Sequence, residues 1–166
     1  MAALEIRHTA PADLPRLLEI YEAARAFMVR TGNPHQWAEK GWPPADIIEE
    51  DIVAGRSYVC TADGRPVACF LYLYGQDVEP TYAHIEGAWI SDEPYGVVHR
   101  IAADGSVPGA GTACLNWALA QHGHLRIDTH EDNLPMQNLL TKLGFKRCGI
   151  IYLEDGDPRI AYEILI

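Results

Sequence analysis

The chain lacks the features that define several large functional classes. No apolar run approaches the ~20 residues of a membrane span, and the N-terminal stretch has no signal-peptide core, so neither a membrane nor a secreted protein is expected. Cysteine is sparse. Cys60, Cys69, Cys114 and Cys148 lie in apolar surroundings without paired spacing, the pattern of buried free thiols in a cytoplasmic protein rather than of a metal or disulfide set. Basic residues are outnumbered, with 13 Lys and Arg against 23 Asp and Glu and a formal net charge of −10. Nucleic-acid binding relies on clustered Lys and Arg, so no nucleic-acid partner is expected. An acidic surface favours cationic partners, though it usually serves solubility. What is present is ordinary globular composition, 48% hydrophobic and 22% charged. At 166 residues the chain reads as one domain over 1–166, able to bury around two thirds of its unfolded surface.

The most informative stretch runs from Val97 to Ala113. It reads as a strand, a turn with glycines at its tip, and the first turn of a helix continuing to about His122. A helix start carries unpaired N–H groups and a partial positive charge, and glycine lets a ligand approach the backbone closely. The stretch is therefore a main-chain phosphate cradle that needs neither lysine nor metal. A Walker loop is excluded, because Gly111 is followed by Thr112-Ala113 instead of Lys-Ser/Thr. A dinucleotide fingerprint fits poorly. Asp104 to Pro108 separate the strand from Gly109, and too little chain follows His130 for the remaining βα units. A glycine turn that merely starts a helix is the plain alternative.

The rest of the chain reads as α/β without repeats or linkers. Leu4–Arg7 is a short strand, and a helix opens at Ala10-Pro11-Ala12-Asp13 with Leu14, Leu17, Leu18, Tyr21, Ala24 and Met28 at helical spacing. Thr31-Gly32-Asn33-Pro34 breaks it, and a second helix spans about Pro44 to Ala54. Strands Ser57–Thr61 and Pro66–Tyr74 flank the Asp63-Gly64 turn, a hairpin signal. Tyr82–Ile90 is ambiguous. Leu125–His130 alternates like a strand, Asp132 or Asn133 caps a short helix with Pro135 in its first turn, and Gly144 stops it before Phe145. Lys146–Leu153 and Ile160–Leu165 form a last hairpin across Asp155-Gly156.

Asn133-x-x-Met136-x-x-x-Leu140-x-x-x-Gly144-Phe145, following a glycine-loop βα unit, resembles the GNAT N-acetyltransferase superfamily. The loop fits that family's (Q/R)-x-x-G-x-(G/A) motif in two registers, through Ser106, Gly109 and Gly111 or through Pro108, Gly111 and Ala113. Neither register has Gln or Arg at its first position. The resemblance covers about residues 57–166, with a compatible helical N-terminal part. It implies a mixed central sheet splayed at the acyl-CoA site, with helices on both faces.

The resemblance further implies acetyl-CoA, or another acyl-CoA, as acyl donor and no metal. Its pyrophosphate would sit on the N–H groups of Gly109, Ala110, Gly111, Thr112 and Ala113, beside Pro108, and its pantetheine arm would pair with Ile101 and Ala103. The Ile101 N–H would stabilise the oxyanion, a role worth about 3 kcal/mol for one donor. Asn133 would bond the CoA arm or act only as a helix cap. An alkyl amine is only ~0.1% deprotonated at neutral pH, so a base or a water relay is expected. His99 is the first candidate, two residues before Ile101 on one strand and so sharing its face, and Glu86 is the second. Each also reads as a structural residue. Asp128 and His130 end a strand beside the cleft, and Asp128 either orients His130 or pairs with Arg126.

Leu140 stands where many members of the family have a tyrosine that reprotonates the thiolate; Tyr95, Tyr152 or water would then do so, or the thiolate leaves unassisted. On the acceptor side the resemblance points to Asn33, His35, Gln36 and Trp37. Trp37, Trp42, Tyr82, Trp89 and Tyr95 would form either an aromatic box for a cation or ordinary packing. The acids of the Glu154–Asp157 turn would attract a cationic substrate or simply make a turn. By family analogy the exposed sheet edge allows a homodimer. The expected activity is acetyl transfer to a primary amine of a small molecule, peptide or protein. The alternative is a non-catalytic acyl-CoA-binding regulatory module.

Overall fold

The computed structural model describes residues 3–166. Its strands are β1 (Leu4–His8), β2 (Ser57–Ala62), β3 (Arg65–Gly75), β4 (Ile85–Gly87), β5 (Tyr95–Ala103), β6 (His124–Thr129), β7 (Lys146–Tyr152) and β8 (Pro158–Leu165). The helices are α1 (Leu14–Arg30), α2 (Ala45–Val53), α3 (Ala110–His122) and α4 (Leu134–Lys142). One sheet of 8 strands carries them in the order β1-β2-β3-β5-β6-β8-β7-β4. Every neighbouring pair is antiparallel except β5 and β6, which α3 joins as a parallel crossover. Among the described residues no helix is long and apolar enough to cross a membrane.

Local chemistry explains most of these elements. The β2–β3 hairpin turns at Asp63 and Gly64, whose φ values of +51° and +82° suit the tight turn that matches strand twist. Helix α4 starts on Asn133, whose side chain accepts from the Met136 amide, with proline tolerated in the first turn. The ambiguous Tyr82–Ile90 segment resolves into a 3-10 turn at Pro80–Ala83 and the short strand β4, which adds to β7 at the far edge of the sheet. Glycines on both sides permit that pairing. A Cβ on Gly87 would stand 2.1 Å from the Cys148 carbonyl, and one on Gly149 2.1 Å from the Glu86 carbonyl.

Two layers cover the sheet. Helices α3 and α4 bury Cys114, Leu115 and Leu140 against Phe70, Val98, Leu125 and Ile127 on one face. On the other, α1 and α2 bury Leu17, Ile20 and Ile48 against Val59, Cys69 and Ala102. Beside them Tyr82, Tyr95, Val97 and Ile151 form a satellite cluster. Leu140 is fully buried, as its place in a helical stripe predicts.

The helix-facing parity of β5 breaks at Arg100. A register shift against β3 falls between Cys69 and Leu71, and Arg100 takes φ +51°, a left-handed conformation that costs a side-chain-bearing residue roughly 1–2 kcal/mol. Tertiary contacts hold it there. The Asp51 carboxylate accepts from Arg100 Nε at 2.9 Å and Nη2 at 2.7 Å, and the Tyr21 hydroxyl donates to the Arg100 carbonyl at 2.7 Å. Asp51 also accepts from Arg56 Nε at 2.8 Å. Asp51→Ala is expected to cost about 2 kcal/mol, less than a fully buried pair because both arginines keep some exposure. A lower urea midpoint with an unchanged slope would show it.

Candidate active site

The site opens where the central strands part. The β5–β6 ladder consists of Gly96↔Leu125 and Val97↔Arg126. Beyond it the strands diverge around a cavity of about 480 Å³, lined on β5 by Val98 to Ile101 and on β6 by Ile127 to Thr129. The splay expected from the sequence is thus present, between the strands expected to make it. The bulge corrects one expectation. His99 and Ile101 do not share a face: His99 points to the α1 and α2 side, against Tyr82, whereas Ile101 packs with the α3 cluster. The extra residue at Arg100 shifts the alternation by one. Both still line the cavity.

His99 is held by acids. Its Nε2 lies 2.6 Å from Glu79 Oε1, and its Nδ1 lies 3.9 Å from Asp128 Oδ2. A carboxylate can only accept, so Nε2 carries the hydrogen and Nδ1 is left toward Asp128. The Tyr82 hydroxyl donates to Asp128 at 2.7 Å. Burial, then the Asp128 charge, push the Tyr82 phenol well above its ordinary value, so it stays a donor. Burial also raises the Glu79 carboxyl, but the hydrogen bond and charge of His99, the Thr81 amide and Arg100 together outweigh it and hold Glu79 below the usual carboxylate range. Asp128 therefore pairs with Tyr82 and His99 rather than with Arg126 or His130.

Glu79 and Tyr82's role were not expected from the sequence. The local signal, Glu79 before Pro80 and capping the Thr81 amide, announces a turn. Nothing local announces a pairing twenty residues on. Thr129 is a second addition: it is 1% exposed, lines the cavity, and its hydroxyl has no partner among the described residues.

The glycine loop lies beyond the cavity's lining, at the end of β5. Gly109, at φ +84°, precedes α3 with no side-chain cap, and the first backbone bond there is from Ala113 to the Gly109 carbonyl. The amides of Ala110, Gly111 and Thr112 are left to a ligand. Asp104 braces the loop, accepting from the Ser106 amide at 2.9 Å and pairing with Arg16. An extended acyl donor with a diphosphate fits this arrangement of splay, free helix start and unpartnered Thr129.

From the segment after α1, Gln36, Trp37, Lys40 and Trp42 line the cavity. Gln36 Oε1 accepts from Asn133 Nδ2 at 3.0 Å, so Asn133 both caps α4 and ties it to this loop. Lys40 reaches across to Asp155 at 3.0 Å and Asp157 at 3.1 Å. Other expected residues fall elsewhere. Glu86 is exposed on the edge strand β4, outside the cavity. Trp89 and Tyr95 do not line it either. They sandwich the Arg126 guanidinium at 4.1 and 4.0 Å from their ring centres, so these two rings of the expected box face the protein's own cation, while Trp37 and Trp42 do line the cavity. His130 accepts from the Asp132 amide at 3.0 Å and is likewise outside, its ring held below the ordinary histidine value by burial and by Arg159. Among the described residues no tyrosine lines the cavity, and Tyr152 stands exposed on β7.

A splayed β5–β6 junction, a helix start free for phosphate and a histidine between carboxylates make up the candidate site. Neither a family model nor a curated protein sequence matches the chain. Solved structures do. A GNAT-family acetyltransferase from Streptococcus agalactiae is 33% identical, with 98% of this chain and 95% of that one covered and a TM-score of 0.86. One from Listeria monocytogenes (16% identity, 100% and 98% covered, TM-score 0.72) and one from Bacillus cereus (18%, 98% and 97%, 0.61) share the fold. The chain belongs to the GNAT family of acetyltransferases.

Proposed function

We propose that the protein transfers an acetyl group from acetyl-CoA to a primary amine by direct attack, with His99 as the base. The observation that carries this is the His99 ring, held at Nε2 by Glu79 and lining the cavity where the strands part. An amine nitrogen bonds to the acetyl carbon as the carbon–sulfur bond breaks. The amine's proton passes to His99 Nδ1, directly or through water, and the positive charge so formed lies between Glu79 and Asp128. The Ile101 N–H polarises the carbonyl oxygen. The thiol leaves as thiolate, which needs no dedicated acid because its pKa is near 8.5.

Acetyl-CoA supplies the activated acyl group when bound. The amides of Gly109 to Thr112 would hold its diphosphate, and Ile101 and Ala103 would lie beside its extended arm. The Ala113 amide, expected in the cradle, is taken by the Gly109 carbonyl at 2.9 Å. Gly111→Trp tests this cradle. A Cβ there meets Leu139 at 3.6 Å, ordinary contact, so the helix tolerates a side chain while the indole blocks the approach. Acetyl-CoA affinity is expected to fall at least tenfold, with the melting temperature little changed. Unchanged affinity, measured by calorimetry, would remove the cradle.

Direct attack predicts that initial-rate lines for the two substrates intersect and that no acetylated protein accumulates by mass spectrometry without amine. Parallel lines with a covalent acetyl-protein would contradict it.

A further inference from the structure

Arg159, the second residue of β8, lines the cavity and is 5% exposed. Among the described residues it forms no ion pair, and its one hydrogen bond is from Nη1 to the adjacent Pro158 carbonyl at 2.9 Å. The other buried arginine, Arg126, is neutralised by Glu163, and the half-buried Arg100 by Asp51. A guanidinium has five donors and cannot lose its charge in a protein. The Asp157 amide and Lys40 hold the Asp155 carboxyl below its ordinary value, and the Arg159 charge helps, but among the described residues no carboxylate reaches ion-pair distance of Arg159. A buried guanidinium thus keeps donors that a ligand anion would satisfy.

Its place in the sheet says which ligand. Asp128 is registered opposite Ala161, two residues along β8, so Asp128 and Arg159 are diagonal neighbours on one face, roughly 7–8 Å apart at the backbone. His99 is on that same face, 3.9 Å from Asp128. Lys40 is engaged by Asp155 and Asp157, and Arg100 by Asp51. The cavity therefore has an acidic pole at Glu79 and Asp128, around His99. Among the described lining residues Arg159 is its buried cation without an ion pair, with Glu154 and the Lys40-paired Asp155 also in the lining. We infer that the acceptor is a small amino acid, its ammonium drawn to the acidic pole and its carboxylate held by Arg159. This rests on the acyl-transfer reading and names its substrate class. A planar fork also accepts a phosphonate, so both oxyanions belong in the test.

The test compares leucine and methionine with their decarboxylated amines and with the phosphonate analogue of leucine, following free thiol released from acetyl-CoA. The wild-type protein is expected to favour each amino acid over its decarboxylated amine at least tenfold in kcat/KM. Arg159→Gln is expected to remove ten- to hundredfold more from the amino acid than from the amine, mainly through KM. Arg159→Lys should recover part of that difference. Thermal unfolding checks each variant, and the wild-type comparison stands even if a variant does not fold. Equal losses on both acceptors, or a wild type indifferent to the carboxylate, would overturn the inference alone. A tenfold preference for the phosphonate would overturn the carboxylate assignment. No thiol release with any amine would overturn the acyl-transfer reading beneath it.

Discussion

His99→Gln is expected to lower kcat/KM for amine acetylation by about 10²–10⁴-fold, the range a positioned base contributes. Glutamine keeps a donor toward Glu79 but has no group that takes up a proton. The pH profile separates this role from a packing role. Without the base only the free amine reacts, so the variant's rate should climb tenfold per pH unit toward the amine's own pKa near 10, while the wild-type profile flattens earlier. A profile identical to wild type would eliminate His99. Glu79 sets the acid side. Its folded value lies below its unfolded one, so its interaction is fully present above the unfolded value and is lost as pH falls through the lowered one. The stability this interaction contributes should therefore persist to below the usual carboxylate range before Glu79 is neutralised.

Glu163→Gln should be the most destabilising single substitution considered. Glu163 is fully buried on β8, accepts from Arg126 Nε at 2.9 Å and the Ile90 amide at 2.5 Å, and pairs with His124. Arg126 lies between Trp89 and Tyr95 and donates to the Ser91 carbonyl, while His124 Nδ1 donates to the Pro94 carbonyl at 2.9 Å. One carboxylate thus ties the segment between β4 and β5 to the centre of the sheet. The amide keeps the shape but leaves Arg126 buried without its counter-charge, which costs about 3–5 kcal/mol. For a domain of this size that is about 6–20 °C in melting temperature. A shift under about 2 °C would mean that the cluster holds nothing together.

Elements set by neighbouring residues were legible in the sequence. The Asp63-Gly64 hairpin, the Asn133 cap and the Gly109 helix start each depend on a few consecutive residues, and each stands where expected. The α/β order and the splay followed from the same local signals together with the family resemblance. What escaped depends on register and on distant partners. Alternation along β5 placed His99 and Ile101 together, because nothing local marks a bulge at Arg100 that Asp51 and Tyr21 stabilise from two helices. Trp89 and Tyr95 stood among five aromatics read as a cation box or as packing, and only the fold shows that Arg126, from a strand about thirty residues on, lies between them. Glu86 stood as a candidate and Glu79 gave no signal for the same reason: only the fold turns Glu79 toward His99.

The central claim is acetyl transfer from acetyl-CoA to an amine at the splay. The most direct measurement follows free thiol from acetyl-CoA on mixing with purified protein and amines, from amino acids and polyamines to peptides, alongside His99→Gln. Thiol release that depends on added amine, yields the N-acetylated product by mass spectrometry, and falls at least a hundredfold in the variant is the predicted result. Tight acetyl-CoA binding with no amine-dependent release across the panel would contradict it, and would leave the chain an acyl-CoA-binding module on an acetyltransferase fold.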